Sequence, residues 1–256
     1  MLVIAHRGAN REAVENSWNA FELAVDVGAR RIELDVQLSK DGHAVIMHDD
    51  DLSKTTGRRE LISRMTRLEL AAVKLVNGEK LPFLDEVVDR LLPRIELNIE
   101  IKGHSEQLAE VVAALVKDHP RRDQVIVSCF HAEPLVWIYQ NHPEITRACL
   151  WSRDTFSWPF FADLAPQVFL DRCGTKILHP HAGLVNENLM DQARARGWTV
   201  YAWTPMAWEE HDREGLWTGL KTVGLDGLCT NYPRQLKCWL EEAAIDERQY
   251  RPDQGQ

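Results

Sequence analysis

The stretch Arg31-Ile32-Glu33-Leu34-Asp35-Val36-Gln37 decides how this chain folds. Successive side chains of an extended strand point to opposite faces. Ile32, Leu34 and Val36 therefore make one apolar face, and Glu33, Asp35 and Gln37 the other. A second stretch, Ile95-Glu96-Leu97-Asn98-Ile99-Glu100-Ile101-Lys102, repeats the pattern, with its isoleucines and leucine against Glu96, Asn98, Glu100 and Lys102. In an antiparallel sheet with one wet face these acids would be ordinary surface charge. In a closed parallel barrel, whose strands turn their apolar side to covering helices, the same acids would point inward.

Working outward, the chain favours the barrel. Short β-branched runs alternate with longer amphipathic stretches, the pattern of a parallel sheet covered by helices. Eight strands are predicted, at 2–5, 31–36, 95–101, 124–129, 145–150, 175–178, 198–203 and 225–229. Helices are predicted between them at 17–27, 84–92, 106–118, 135–140, 187–196 and 234–242, while 151–167 is aromatic-rich and fits neither period. About 60 residues separate the second strand from the third, more than a helix and two turns require. Residues 43–48 read as an extra strand and 49–80 as a small excursion at the barrel mouth. The expected fold is a (βα)8 TIM barrel with a small insertion after the second strand. It forms one domain over 1–244, followed by a polar tail, 245–256, that frays.

Composition narrows the function. The chain of 256 residues has 39 acidic and 30 basic residues, a formal net charge of −9. No lysine or arginine cluster is longer than a pair, which argues against a nucleic-acid or anionic-membrane surface. The five cysteines are unevenly spaced and lack a Cys-x-x-Cys pair. That pattern argues against a disulfide framework or cysteine zinc site and for a reducing compartment. With neither a signal-peptide pattern nor an apolar run of the roughly 18 residues that span a bilayer, the default location is the cytoplasm. A small-molecule partner is expected, and self-association is left open.

Like charges about 4 Å apart repel by roughly 4 kcal/mol at an effective dielectric of 20. Convergence of Glu33, Asp35 and Glu100 inside a barrel therefore calls for a bound cation or raised pKa values. All-oxygen ligation favours one hard divalent ion, Mg²⁺ first, with Ca²⁺ or Mn²⁺ as alternatives. His6-Arg7-Gly8 follows the first strand directly, where a βα-barrel opens on its catalytic face. A lone histidine there would more often be structural, but His48 closes the extra strand only a short way beyond Asp35. Two imidazoles near a metal suit general acid and base work at neutral pH. Arg7 and Lys102 have the charge and donors to hold a phosphoryl oxygen; their plainer role is to neutralise the carboxylates. Asp49-Asp50-Asp51 lacks the spacing of a calcium loop and reads as a solvated turn, with Asp49 placed to orient His48.

These residues resemble the glycerophosphodiester phosphodiesterase family, a set of βα-barrel hydrolases, over nearly the whole chain. The matching elements occur in the family's order: His6-Arg7-Gly8, Glu15-Asn16-Ser17, Gly28-Ala29 followed by Glu33-Leu34-Asp35, Asp41-Gly42, His48-Asp49, Thr55-Thr56-Gly57, Asn98 to Lys102, Trp203-Thr204 and Gly224 to Gly227. The resemblance implies that His6 and His48 are the paired catalytic histidines and that Glu33, Asp35 and Glu100 are the metal ligands. It also implies that Arg7 and Lys102 contact phosphate and that Trp203 lines the glycerol side. The reaction implied is hydrolysis of glycerophosphodiesters to sn-glycerol 3-phosphate and an alcohol. Which histidine is acid and which base, and whether a cyclic phosphate intervenes, stay open.

The chain departs from the family at Val14 and Ser17, where proline and threonine are common, and at Lys54, where arginine is frequent. Phe83 replaces a common threonine, Thr204-Pro205 follows the tryptophan in place of the usual residues, and Asn231 stands for an aspartate. Two other functions fit the same barrel. A phospholipase D-like or lysophospholipid-cleaving enzyme would need an apolar groove. Trp151, Phe156, Trp158, Phe160 and Phe161 are candidates for it, although core packing or a subunit contact is their plainer reading. A phospho-ligand sensor without turnover would have no need to keep both histidines and all three carboxylates.

Overall fold

A computed structural model describes residues 1–152 and 166–249. Among the described residues there are nine strands: β1 (Leu2–His6), β2 (Arg31–Leu38), β3 (Ala44–Ile46), β4 (Glu96–Ile101), β5 (Val125–Cys129), β6 (Thr146–Trp151), β7 (Ile177–Pro180), β8 (Thr199–Trp203) and β9 (Gly227–Thr230). All except β3 pair in parallel, and β1 pairs with both β9 and β2, so eight strands close into a (βα)8 barrel. The extra strand β3 runs antiparallel to β2, with Val36 opposite Ile46.

Strand parity sorts the side chains as the alternation requires. Ile32, Leu34, Val36, Leu97, Ile99 and Ile101 are buried in the main core, where they meet Phe21, Ala24, Val87, Leu91, Leu108 and Val112 from the covering helices. The alternate residues face the barrel axis, and the register sets His6 opposite Glu33, Glu33 opposite Asn98 and Asp35 opposite Glu100. The insertion packs around its own apolar cluster, which includes Met47, Leu52, Ile62, Leu70, Leu75 and Phe83. It therefore stands on the barrel mouth without drawing on the main core.

Helices 18–27, 84–91, 106–116, 132–141 and 187–196 lie where amphipathic patterning places them. Ser17, Ser105 and Asn186 cap three of them by accepting from a backbone N–H in the first turn, as short oxygen-bearing side chains do. Patterning misses helices 166–172, 206–211 and 213–222 and the short turns 53–56 and 67–71. Helix 213–222 buries only Trp217 and Leu220 and carries two glycines, too little apolar repeat for a periodicity signal. The last helix, Pro233–Gln249, continues into the stretch expected to fray, in keeping with its run of Glu, Ala and Arg, which are good helix formers. Phe156, Trp158, Phe160 and Phe161 lie outside the described residues, whereas Trp151 ends β6 within the main core. Among the described residues no helix is long and apolar enough to cross a membrane.

The turn after β1 is set by Gly8, which has φ +78° and lies so close to helix 18–27 that a Cβ would come within 2.6 Å of the Ala20 carbonyl carbon. Gly8→Ala is expected to destabilise the fold by roughly 2–4 kcal/mol, overpacking and a left-handed φ acting together. Urea unfolding checks this, and an unchanged midpoint would mean that the turn relaxes at no cost.

Candidate active site

The C-terminal ends of β1, β2, β4 and β8, with the loop after β3, surround a cleft of about 320 Å³. His6, Arg7, Glu33, His48, Glu100, Lys102 and Trp203 line it, together with Glu15, Lys54, Phe130, His179 and Asn231. Asp35, the remaining residue singled out in the sequence, is fully buried behind this lining. Two non-glycine residues with positive φ, Arg7 (54°) and Asn16 (55°), sit at the same mouth. Such strain persists only where the surroundings over-determine it. Here the Arg7 backbone N–H donates to Glu33 Oε2 at 3.0 Å, and the buried Asn16 Nδ2 donates to Asp35 Oδ2 at 2.8 Å.

One oxygen from each of Glu33, Asp35 and Glu100 lies within 4.8 Å of the others. Cations crowd around them. Arg7 Nε is 3.1 Å from Asp35 and its Nη1 is 2.9 Å from Glu15, while Lys102 Nζ is 3.1 Å from Asp35 and 2.5 Å from Glu100. The distribution is uneven, and the protonation follows it. Burial first, then the charges of Asp35 and Glu100, push Glu33 well above the ordinary carboxylate range. Burial opposes ionisation of Asp35 as well, but Lys102 and Arg7 outweigh it and hold that carboxyl far below the ordinary range. Burial likewise opposes the charge on Lys102, and Asp35 and Glu100 nonetheless hold its ammonium above the usual lysine value.

A divalent cation fits these residues. Glu33 Oε1 is a buried acceptor with no hydrogen-bond donor, a position that costs free energy unless a proton or cation satisfies it. Three converging carboxylates are a hard, all-oxygen donor set.

The two histidines are held differently. His6 Nδ1 lies 2.8 Å from Asn231 Oδ1. Asn231 Nδ2 is committed as a donor to Glu209 Oε2 at 2.7 Å and to the Thr204 carbonyl at 3.2 Å. The atom facing His6 is thus an acceptor, so Nδ1 carries the proton and Nε2, 3.9 Å from Glu33, keeps its lone pair. Burial, with Arg7 next, pushes His6 down to about 3. His48 Nδ1 instead faces a carboxylate, Asp49 Oδ1, at 2.5 Å, which only accepts and so keeps a proton on Nδ1.

Glu209, fully buried, was not among the sequence candidates. It accepts from the Thr230 hydroxyl, the Asn231 backbone N–H and the Asn231 side chain. No motif marks it; the one available signal was the departure at Asn231. Glu209→Ala removes the acceptor that anchors the Asn231 Nδ2 and backbone N–H and so frees that amide to turn. Losing the alignment of His6 is expected to lower kcat roughly 10- to 100-fold at similar KM, about 1–3 kcal/mol. Unchanged kcat would mean that Asn231 holds its orientation unaided.

Other departures sort by position. Phe83 is a core residue of the insertion, with the Arg67 guanidinium over its ring at 4.4 Å, and does not line the cleft. Lys54 reaches the cleft and pairs with both Glu15 oxygens at 2.8 Å. Thr204 and Pro205 line the wall beside Trp203, whose ring meets Phe130 edge-on at 5.8 Å. The buried Trp203 Nε1–H has no protein acceptor, which leaves it as a donor for a ligand oxygen.

With this geometry in place, comparison with known proteins is specific. The sequence pattern of the glycerophosphoryl diester phosphodiesterase family matches residues 6–235. A glycerophosphodiester phosphodiesterase of Bacillus altitudinis is 30% identical over 250 residues, covering 90% of this chain and 94% of its own. A phosphodiesterase of Oleispira antarctica, solved in complex with its product sn-glycerol-3-phosphate, superposes with a TM-score of 0.80 at 29% identity. That match covers 96% of this chain and 97% of the other. A lysophospholipase D of Rattus norvegicus is 27% identical over 274 residues, covering 93% of this chain and 85% of its own.

Proposed function

The chain belongs to the glycerophosphoryl diester phosphodiesterase family, and from that premise we propose that it hydrolyses glycerophosphodiesters to sn-glycerol 3-phosphate and an alcohol, using one divalent cation and two histidines. It is an enzyme, a glycerophosphodiester phosphodiesterase. The observation that carries the finer reading is the convergence of three carboxylates, two cationic side chains and two histidines on one small cleft.

Glu33, Asp35 and Glu100 hold the cation, Mg²⁺ with Ca²⁺ or Mn²⁺ as alternatives. When bound, it polarises a phosphoryl oxygen as a Lewis acid and offsets the repulsion among the three carboxylates. Arg7 and Lys102 bring N–H donors to the phosphate, and Arg7 still has donors beyond those given to Asp35 and Glu15. Trp203 covers the glycerol side. His6, neutral with its lone pair on Nε2, takes the proton from the attacking hydroxyl, whether of water or of the glycerol 2-carbon. His48, oriented through Nδ1 by Asp49, donates from Nε2 to the leaving oxygen. The reaction runs in the cytoplasm in this reading.

Release of glycerol 3-phosphate from several glycerophosphodiesters tests the proposal, with and without chelator, for native protein, His6→Ala and Glu100→Ala. Loss of activity in chelator and in both variants is expected; unchanged activity in any of them would sink the assigned site. The lysophospholipid reading draws on the Rattus norvegicus relative. A cleft of only about 320 Å³, at the lower end for small-molecule sites, favours the water-soluble diester. Turnover of glycerophosphoethanolamine against lysophospholipid micelles separates the two.

A further inference from the structure

Beside the cleft lies a second group of ligating side chains that the reaction does not use. His104 follows β4 and His131 follows β5, and these two strands pair in register with Glu100 opposite Ser128. The two loops therefore leave the barrel side by side. His131 stands at the N-cap position of helix 132–141 with no side-chain cap bond, and Glu133 lies in the helix's first turn. The two imidazole rings approach to 3.6 Å between centroids at 35°, and His104 Nδ1 is 3.3 Å from Glu133 Oε2. One nitrogen from each histidine and one Glu133 oxygen all lie within 4.8 Å of one another.

We propose that His104, His131 and Glu133 form a second cation site, for a borderline divalent transition ion such as Zn²⁺, at the rim of the barrel mouth. Two neutral imidazoles and a carboxylate are the donor set such an ion prefers, with a position left open to solvent. The three carboxylates in the cleft instead suit a hard ion, so the two sites differ in chemistry as well as place. Zinc lies about 2.0–2.2 Å from nitrogen and oxygen ligands. Drawing the three atoms onto one ion therefore needs only modest turning of side chains. His104 and Glu133 are free to turn, their side chains being 63% and 47% exposed.

A plain surface ion pair explains the arrangement less well. Exposed pairs are worth about 0–1 kcal/mol, and a His–Glu pair requires a charged imidazole. Rings 3.6 Å apart instead hold a nitrogen from each histidine within 4.8 Å of a Glu133 oxygen, a convergence that a pair with one histidine does not need. Burial and the neighbouring His104 also lower the basicity of His131. A bound ion would tie the loop two residues past Lys102 to the helix one residue past Phe130, and both of those residues line the cleft. The site is thus built to stiffen one wall of the substrate pocket.

The test is zinc stoichiometry by equilibrium dialysis at micromolar free zinc in excess Mg²⁺, comparing native protein with His104→Ala/His131→Ala. The native chain is expected to retain one more zinc than the double variant, and zinc to raise the melting midpoint of the native protein alone. This difference does not depend on what the cleft carboxylates hold, so a failed catalytic assignment and a failed second site are distinguishable. Equal stoichiometry in the two proteins overturns the proposal. If the double variant does not match the native midpoint in chelator, His104→Ala and Glu133→Gln, both at exposed positions, replace it under the same criterion.

Discussion

Glu33→Gln is expected to lower glycerophosphodiester hydrolysis by roughly 10³-fold, about 4 kcal/mol, while the fold in chelator stays as stable as the native one or becomes more stable. Two opposite effects meet at this residue. Glu33 is buried beside Asp35 and Glu100, its Oε1 has no donor, and its direct protein contact is the Arg7 backbone N–H. Its charge is therefore costly to the folded chain by itself, and holding a cation is the role the proposed function gives it. Glutamine keeps the shape and an acceptor for Arg7 but removes the charge. The pH dependence has a definite sign. Because folding raises the Glu33 pKa, the folded state binds this proton more tightly than the unfolded state. Its contribution to stability is full below the unfolded value and is lost as pH rises through the folded one. Unfolding midpoints in chelator should accordingly fall with rising pH more steeply in native protein than in Glu33→Gln. Equal slopes, or a variant much less stable than native in chelator, would mean that Glu33 is a structural acid.

Much of this site was legible because a strand's period of two is short and rigid. Once β2 and β4 are strands of a parallel barrel, parity alone sends Glu33, Asp35, Asn98 and Glu100 inward, and one pairing register sets Asp35 beside Glu100. Where function depends on long-range hydrogen bonds, no such rule exists. Glu209 meets Asn231 across 22 positions and Asn231 meets His6 across 225. Nothing local in 206–211 distinguishes a buried carboxylate from the exposed ones usual on short helices. Phe83 shows the opposite failure. It departs from the threonine common in the family, yet it packs in the core of the insertion, because a chain neighbour of the mouth need not face it.

His48→Ala is expected to cost roughly 10²–10⁴-fold with diesters of alkyl alcohols such as glycerophosphoethanolamine, yet little with a p-nitrophenyl diester. His6→Ala is expected to impair both substrates alike. The reasoning starts from the two Nδ1 partners. His48 has a carboxylate behind its Nδ1, the partner proposed for the acid, whereas a neutral amide behind His6, oriented by Glu209, leaves a lone pair on Nε2. An alkoxide leaves poorly without a proton, so the acid matters most when the alcohol is a weak acid. A p-nitrophenolate leaves unaided, so the need for His48 disappears. The base acts on the attacking hydroxyl, which is the same for both substrates, and its loss cannot be rescued by a better leaving group. If the p-nitrophenyl diester rescues His6→Ala instead, the two roles are exchanged. If it rescues neither variant, the histidines position substrate without transferring the decisive proton.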